Sequence, residues 1–301
     1  MAELAIRVQG LRKTYGQVVA VDDVSFAVER GEIFGIIGPN GSGKTTSVEC
    51  LQGLRTPDGG ELDVLGLDPG TEANALRHRI GSQLQESALP DRMRVWEALD
   101  LFGALTPHGR VWEPVCREWG LWEKRDAAFA NLSGGQRQRL FIALALVGNP
   151  ELVFLDEMTT GLDPTARRAT WELIRKVREG GATVVLVTHF MDEAESLCDR
   201  VAVFRQGRVA ALDTPRALVS EFAGRMTVTF TASEDVGFLG ECPGAEAVER
   251  EGPRVSVRGH GALLAHVGAA LVARGIEPLD LDVDRGTLEE VFLALTEGPQ
   301  A

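Results

Sequence analysis

The stretch GPNGSGKTT, residues 38–46, decides the fold because of the segments on either side of it. The apolar run 33–37 predicts a strand before it, and the pattern of residues 45–54 predicts a helix after it. A glycine, four residues, and then glycine, lysine and threonine form a phosphate loop when they stand between a strand and a helix. An ordinary glycine turn is the alternative, and the preceding strand disfavours it.

The chemistry of this loop follows from its residue types. Its glycines let backbone N–H groups turn toward the β-phosphate of a nucleotide, and the helix N-terminus adds a partial positive charge. Lys44 would reach the β- and γ-phosphates, and the hydroxyl of Thr45 would coordinate Mg²⁺. The residues predicted to hold the phosphates are Gly38, Pro39, Asn40, Gly41, Ser42, Gly43, Lys44, Thr45 and Thr46.

A second motif, LVFLDE at residues 152–157, is an apolar strand pattern that ends in two acids. Asp156 would hold the Mg²⁺ shell through water, and Glu157 would orient and polarise the attacking water. An apolar strand that ends in acids is common and is weak evidence when it stands alone. Paired with the phosphate loop, it predicts hydrolysis of a nucleoside triphosphate.

The composition is that of a globular protein, with 301 residues, 44% of them hydrophobic and 25% charged. The longest apolar run, residues 140–147, is far shorter than the roughly 18 residues of a membrane-spanning helix. The first ten residues predict a strand and not a signal peptide, so we expect a cytosolic chain. Four scattered cysteines predict free thiols. A net charge of −13 argues against a general nucleic-acid binder.

Short apolar runs that alternate with helical patterns predict an α/β fold with a mostly parallel sheet. Residues 86–135 contain four of the five tryptophans, which we expect to pack a small helical lobe, although an exposed subset could form a docking surface. The composition changes near residues 223–225, and the pattern that follows reads as β-α-β-β-α-β plus a helix, with the first helix near residues 233–240. The predicted domains are therefore residues 1–222 and a small ferredoxin-like α+β domain, residues 226–301.

Three motifs occur in a fixed order: LSGGQ at residues 132–136, LDE at 155–157 and GLDP at 161–164. Together with the phosphate loop, they resemble the nucleotide-binding subunit of an ATP-binding cassette (ABC) transporter. The resemblance implies a P-loop NTPase fold, in which a RecA-like core with a mixed sheet carries an antiparallel β subdomain and an α-helical subdomain. It also implies ATP and Mg²⁺ as cofactors and ATP hydrolysis coupled to transport.

Three further segments narrow the resemblance: residues 85–99, 188–203 and 287–298. They resemble the ATPase subunits of bacterial drug and polyketide-antibiotic exporters of the daunorubicin-resistance type, in which the membrane domain is a separate chain. The resemblance implies efflux of a drug, an antibiotic or another small hydrophobic compound. It also implies a position on the inner face of the cell membrane, reached through the permease.

The resemblance assigns roles to single residues. Gln85 corresponds to the glutamine that touches Mg²⁺ and water, although its neighbour Gln83 could be confused with it and either could be a polar loop residue. His189 corresponds to the switch histidine that hydrogen-bonds the γ-phosphate, and Asp163 to the aspartate that couples two sites. Tyr15 corresponds to the aromatic residue that stacks on adenine, unless it only packs. The predicted catalytic residues are Lys44, Gln85, Glu157 and His189, and the predicted metal ligands are Thr45, Gln85 and Asp156.

The stretch NLSGGQRQRL, residues 131–140, predicts a second anion site. Ser133 suits a helix N-cap, and the glycines after it allow close backbone approach. In the resembled family this motif closes over the γ-phosphate held by a second copy, so ATP would bring two chains together as a homodimer. The residues concerned are Ser133, Gly134, Gly135 and Gln136.

One position departs from the family, since Met158 stands where proline is common. It removes no catalytic group, so we expect a working ATPase. Two alternatives to transport are a soluble ABC ATPase and a regulatory ABC protein with a sensing C-terminal domain. The soluble enzymes usually have two cassettes, a long coiled-coil insertion or zinc-binding cysteines, and this sequence has none of these.

Overall fold

The computed structural model describes residues 3–83, 88–107, 109–223 and 226–297. The chain divides into two compact units, Met1–Pro215 and Arg216–Ala301. This division lies a few residues before the change of composition near 223–225, because the turn Val219–Ala223 packs against the last helix of the chain. The domain limits inferred from composition, 222 and 226, therefore lie slightly later than the break in packing.

The first unit is built around a mixed sheet. Its strands are β1 (Leu4–Tyr15), β2 (Val18–Glu29), β3 (Ile33–Ile37), β4 (Gly59–Val64), β5 (Ile80–Gln83), β6 (Leu152–Asp156), β7 (Thr183–Val187), β8 (Arg200–Arg205) and β9 (Arg208–Asp213). The central sheet has the order β5-β6-β7-β3-β8-β9, in which β9 alone among these described strands runs antiparallel to its neighbour. Every residue of β3, β6 and β7 is buried, as expected for parallel strands covered on both faces.

The strands β2, β1 and β4 form a separate antiparallel sheet in that order. Ile6 and Val8 of β1 and Phe26 of β2 belong to the same buried cluster as Phe34 of β3. The rings of Phe26 and Phe34 stack with their centroids 5.4 Å apart. The antiparallel sheet therefore packs on the strand that leads into the phosphate loop, and it corresponds to the predicted antiparallel β subdomain.

Helices cover the sheet and build the lobe between β5 and β6. They are α1 (Lys44–Leu51), α2 (Ala73–Arg77), α3 (Val95–Ala104), α4 (Trp112–Glu118), α5 (Gly134–Leu146), α6 (Pro164–Glu179) and α7 (Met191–Leu197), with 3-10 turns at Trp122–Lys124 and Phe129–Asn131. The ring of Trp112 lies between those of Trp96 and Trp122, at centroid distances of 6.1 and 6.0 Å. Trp119 is buried, and the guanidinium of Arg117 lies 3.3 Å from the Trp122 ring centroid. The tryptophans pack within the lobe, as predicted.

The second unit contains a four-residue helix and an antiparallel sheet with two longer helices. Its elements are α8 (Pro215–Leu218), β10 (Met226–Thr231), β11 (Ala245–Glu251), β12 (Arg254–Gly259), α9 (Leu263–Ala273), β13 (Leu279–Arg285) and α10 (Leu288–Glu297). The strand order β11-β12-β10-β13 is that of a ferredoxin-like domain. The helix predicted near residues 233–240 is wrong: a short 3-10 turn, Gly237–Glu241, stands there. Asp235 accepts a hydrogen bond from the Gly237 N–H at 3.0 Å, a local bond that competes with helix formation.

Within the described ranges, none of the helices combines the length and the apolar character needed to span a membrane. All four cysteines lie in those ranges and are free thiols, as predicted.

Candidate active site

The phosphate loop follows β3 and ends where α1 begins at Lys44. Gly43 precedes the helix with a φ of 100°, a left-handed conformation that glycine adopts without strain. A Cβ at this position would also lie 2.5 Å from the carbonyl oxygen of Ala20. No side chain of the described residues caps α1, so its first N–H groups are available to an anion.

Lys44 is buried beneath this loop. Its Nζ donates hydrogen bonds to the carbonyl oxygens of Gly38 at 2.8 Å and Pro39 at 3.0 Å. Burial lowers the pKa of Lys44, while Glu157 and Asp156 oppose this shift. The ammonium group therefore lies inside the loop, near Asp156 and Glu157, the two acids that the sequence analysis predicted to act with the phosphate loop.

Two hydroxyl groups of the loop and of the start of α1 suit the predicted ligands. Thr45 is exposed in the first turn of α1, where its hydroxyl can reach a cation. Ser42 Oγ is buried and has no hydrogen-bond partner among the described residues. An unpaired buried hydroxyl is costly unless a ligand satisfies it. These features fit a bound phosphate group.

Asp156 is the last residue of β6, and only 6% of it is exposed. Burial raises the pKa of its carboxyl to about 6; Glu157 adds to the shift and Lys44 opposes it. No group of three or more metal-ligating side chains occurs in the described part of the chain. Mg²⁺ commonly takes one or two protein oxygens and completes its shell with substrate phosphates and water. The oxygen atoms of Asp156 and Thr45 are donors of this kind.

Glu157 and His189 come together at the ends of two neighbouring strands. The N–H of Glu157 donates to the carbonyl oxygen of Val187 at 2.9 Å, which aligns the turn after β6 with the end of β7. His189 Nδ1 then lies 3.2 Å from Glu157 Oε1. Glu157 has a φ of 48°, which costs a residue other than glycine about 1–2 kcal/mol. Strain of this kind collects at functional sites.

Tyr15 is the last residue of β1, and 40% of it is exposed, so one of its surfaces is accessible to a ligand. The cations of Lys13 and Arg55 lie 5.8 and 5.2 Å from its ring centroid. Asp58 accepts hydrogen bonds from Lys13 Nζ at 2.8 Å and from the Thr14 N–H and hydroxyl at 2.7 Å each. These bonds lower the pKa of Asp58 to about 2. The sequence contains no motif that would have predicted the anchoring role of Asp58.

The LSGGQ motif begins α5 as predicted, with Ser133 as its N-cap. Ser133 Oγ accepts from the Gln136 N–H at 3.4 Å, and the Gln136 side chain accepts from the Ser133 N–H at 3.0 Å. This reciprocal pair is a capping box. The serine and the glutamine of LSGGQ therefore have a structural role within a single chain.

Asp163 has a structural role that the sequence prediction missed. Its Oδ1 accepts hydrogen bonds from the N–H groups of Thr165 and Ala166, both at 2.9 Å, and so caps α6. The signal was present, because aspartate followed by proline is typical of a helix start. Coupling between two sites through Asp163 stays a prediction.

Gln85 lies outside the described residues, so its role stays a prediction, whereas its neighbour Gln83 is buried at the end of β5. Met158, where the family commonly has proline, is fully buried.

An uncapped helix behind a phosphate loop, with two acids at the end of β6, two strands away in the same sheet, defines a phosphate-loop nucleoside triphosphatase. Sequence comparison then identifies the family. The model of the family described as ABC transporter matches residues 21–160. The daunorubicin resistance ATP-binding protein DrrA3 of Streptomyces coeruleorubidus is 39% identical, over 98% of this chain and 97% of the relative. The Nod factor export ATP-binding protein I of Ralstonia nicotianae is 38% identical, over 97% and 93%. This chain therefore belongs to the ABC transporter family, as an ATP-binding subunit that hydrolyses ATP.

Solved structures agree with this assignment. The ATP-binding subunit of an ABC transporter superposes with a TM-score of 0.67 at 28% identity, over 73% of this chain and 93% of that one. A dimeric bacterial ABC transporter cassette, MJ0796, superposes with a TM-score of 0.63 at 28% identity, over 69% and 98%. The predicted fold class is confirmed.

The buried Asp156 generates a prediction about stability. The pKa of its carboxyl is higher in the folded protein than the ordinary value of 3.8, so ionisation above about pH 6 opposes folding. This cost develops as the pH rises from about 4 to about 6. Asp156→Asn should raise the free energy of unfolding at pH 8, without nucleotide or Mg²⁺, by roughly 3 kcal/mol.

Urea denaturation at pH 8 and pH 5 measures this effect. The gain should shrink at pH 5, where the wild-type carboxyl is largely protonated. Asp100→Asn removes the same charge from an exposed position and should change neither value. An equal gain for Asp156→Asn at both pH values would contradict the explanation.

Proposed function

We propose that this chain powers the export of a drug, an antibiotic or another small hydrophobic compound through a separate membrane permease. The observation that carries the mechanism is the Glu157–His189 pair beside the buried Lys44. The export direction is supported by relatives that span nearly the whole chain and are named for daunorubicin resistance and Nod factor export. The chain would reach the inner face of the cell membrane by binding that permease.

The phosphates of ATP would be bound by the loop at residues 38–46 and by Lys44, with Tyr15 stacking on the adenine. Mg²⁺ would be held by Thr45 and Asp156, with Gln85 as a further ligand. When bound, Mg²⁺ neutralises charge on the β- and γ-phosphates. As the nucleotide enters, Lys44 Nζ would leave the carbonyl oxygens of Gly38 and Pro39 and donate to phosphate oxygens instead.

Hydrolysis depends on how one water molecule is placed. Glu157 would accept a hydrogen bond from this water and orient it toward the γ-phosphate. His189 Nδ1 is turned toward Glu157, and an imidazolium ring, which carries a proton on each nitrogen, would also donate from Nε2 to a γ-phosphate oxygen. Positioning and charge stabilisation supply most of the catalysis in phosphoryl transfer.

The glycines of LSGGQ support an active site completed by a second copy of the chain. A Cβ at Gly134 would meet no atom of the described residues within 4 Å, and at Gly135 its nearest neighbour would lie at 3.6 Å. Neither residue has a positive φ. Glycine weakens a helix relative to alanine, so folding of the chain does not explain the pair. Close approach of a phosphate bound to a partner copy would explain the pair. The dimeric structure of MJ0796 supports such a partner copy.

The partner in the membrane would bind at an apolar groove of the helical lobe. This groove has a volume of about 490 Å³, and its lining includes Phe102, Leu105, Phe141 and Leu144 of the lobe and Gln83 of β5. Leu105 is 63% exposed although it is apolar. A groove of this kind binds one face of an amphipathic helix. Movement of the lobe would then pass to the permease.

Gly134→Ala tests the dimeric site. The added methyl meets no atom of the described residues within 4 Å, so the isolated fold should be at least as stable as the wild type. ATP hydrolysis should fall roughly tenfold or more, because the methyl keeps the helix N–H groups from the partner's phosphate. Steady-state ATPase assays and thermal unfolding measure the two effects.

Gly268→Ala in α9 is the matched control, because its Cβ also meets no atom of the described residues. It should leave hydrolysis within about twofold of the wild type while favouring the helix. Equal rates of ATP hydrolysis by Gly134→Ala and the wild type would contradict the proposed dimeric site.

Reconstitution with the permease encoded beside this chain tests export. ATPase activity should rise when the two proteins are combined in liposomes with one of a panel of hydrophobic compounds, and Glu157→Gln should abolish that activity. Leu105→Glu should retain the ATPase activity of the isolated chain and lose the stimulation. Val272→Glu, at an apolar position 76% exposed in α9, should behave like the wild type. Failure of every compound to stimulate the wild type would contradict a role in their export.

A further inference from the structure

Glu193, in the first turn of α7, is a carboxyl group to which the sequence motifs assign no role. It is fully buried, as are Thr159 and Thr188. Its Oε1 accepts hydrogen bonds from Thr159 Oγ1 at 2.9 Å and from Trp171 Nε1 at 3.0 Å. Burial raises the pKa of Glu193, and interactions with Thr188, Thr159 and Trp171 oppose that shift. Both hydrogen bonds go to Oε1, while the buried Oε2 has no hydrogen-bond partner among the described residues.

Glu193 and its partner Thr159 belong to the two segments that carry the catalytic pair. Thr159 lies two residues after Glu157, in the turn where the Thr160 N–H donates to the Glu157 carbonyl oxygen at 3.2 Å. Thr188 lies one residue before His189, and its hydroxyl accepts a hydrogen bond from the Phe190 N–H at 3.0 Å. Glu193 itself lies in α7, four residues after His189, so its hydrogen bond with Thr159 joins the segment of His189 to the turn after Glu157.

The segment around Thr188 is also tied to the phosphate loop. The Thr188 N–H donates to the carbonyl oxygen of Ile36, two residues before Gly38, at 3.2 Å. A displacement of Thr188 would therefore change the position of His189 relative to both Glu157 and the bound phosphates. Displacements near 1 Å can cost on the order of 100-fold in rate.

We propose that Glu193 is a positioning residue for ATP hydrolysis, which holds the turn after Glu157 and the segment of His189 in mutual register. This role rests on the proposed function, in which Glu157 and His189 act on water and the γ-phosphate. Glu193 acts through its hydrogen bond with Thr159 and through its place in α7, the helix that follows His189.

Substitutions of Glu193 in the full chain test this role. Glu193→Ala should lower the kcat of ATP hydrolysis roughly 10- to 100-fold and change the KM for ATP less than about threefold, because the phosphate loop stays intact. Glu193→Gln retains an oxygen acceptor for Thr159 and Trp171, so it should restore kcat to within about threefold of the wild type. A purely structural role would instead lower stability without this split between kcat and KM.

Trp171→Phe is the matched control, because it removes another donor to the same oxygen from α6, which carries neither catalytic residue. It should leave kcat within about twofold of the wild type. If Glu193→Ala does not fold, Thr159→Val and Thr188→Val remove single hydroxyl groups with little change of volume, and each should lower kcat several-fold at unchanged KM.

The two levels of the hypothesis fail in different ways. If Glu157→Gln or His189→Ala retains wild-type kcat, the proposed catalytic pair is wrong. If those variants are inactive while Glu193→Ala, or in its place both threonine variants, keeps wild-type kcat, only the role of Glu193 is overturned. An equal loss of kcat in Trp171→Phe would also overturn it.

Discussion

The pairing of three parallel strands is the constraint on which the site depends. Ile36 of β3 and Asp156 of β6 both lie opposite Val187 of β7, so the three strands end at one level. The phosphate loop, the Glu157 turn and His189 follow within two residues of these positions. Parallel strands place their carboxyl ends on the same edge, and this edge is where α/β proteins bind ligands. The antiparallel sheet, the helices and Glu193 stabilise this alignment.

Three local conflicts of the first unit lie at this edge and at the start of α5. Asp156 is a carboxylate in a buried position, Glu157 has a left-handed backbone, and Gly134 begins a helix without a reason within the chain. Folding alone would favour an amide, a glycine and an alanine at these positions. Proteins retain such conflicts where function requires them. In the proposed mechanism, a bound nucleotide accounts for the first two conflicts and a nucleotide on a second copy for the third.

The sequence predicted those parts of the site that depend on short-range chemistry. The phosphate loop, the acid-ended strand and the Ser133 cap each need only a few consecutive residues, and each has the predicted local structure. Contacts between distant segments were missed: Asp58 anchors Lys13 and Thr14, and Glu193 binds Thr159. No periodicity encodes such pairs. The strand order of the second unit was implied by its pattern, whereas local bonding by Asp235 replaced one predicted helix with a 3-10 turn.

The central claim is that each active site combines the phosphate loop of one copy with the LSGGQ helix of another. Mixing two inactive variants tests it most directly, with Lys44→Ala in one chain and Gly134→Asp in the other. If the site is shared, the mixed dimer contains one site with both parts intact, and single-turnover ATP cleavage reappears on mixing. If each chain contains its complete site, the mixture stays as inactive as its components, and the shared site is contradicted.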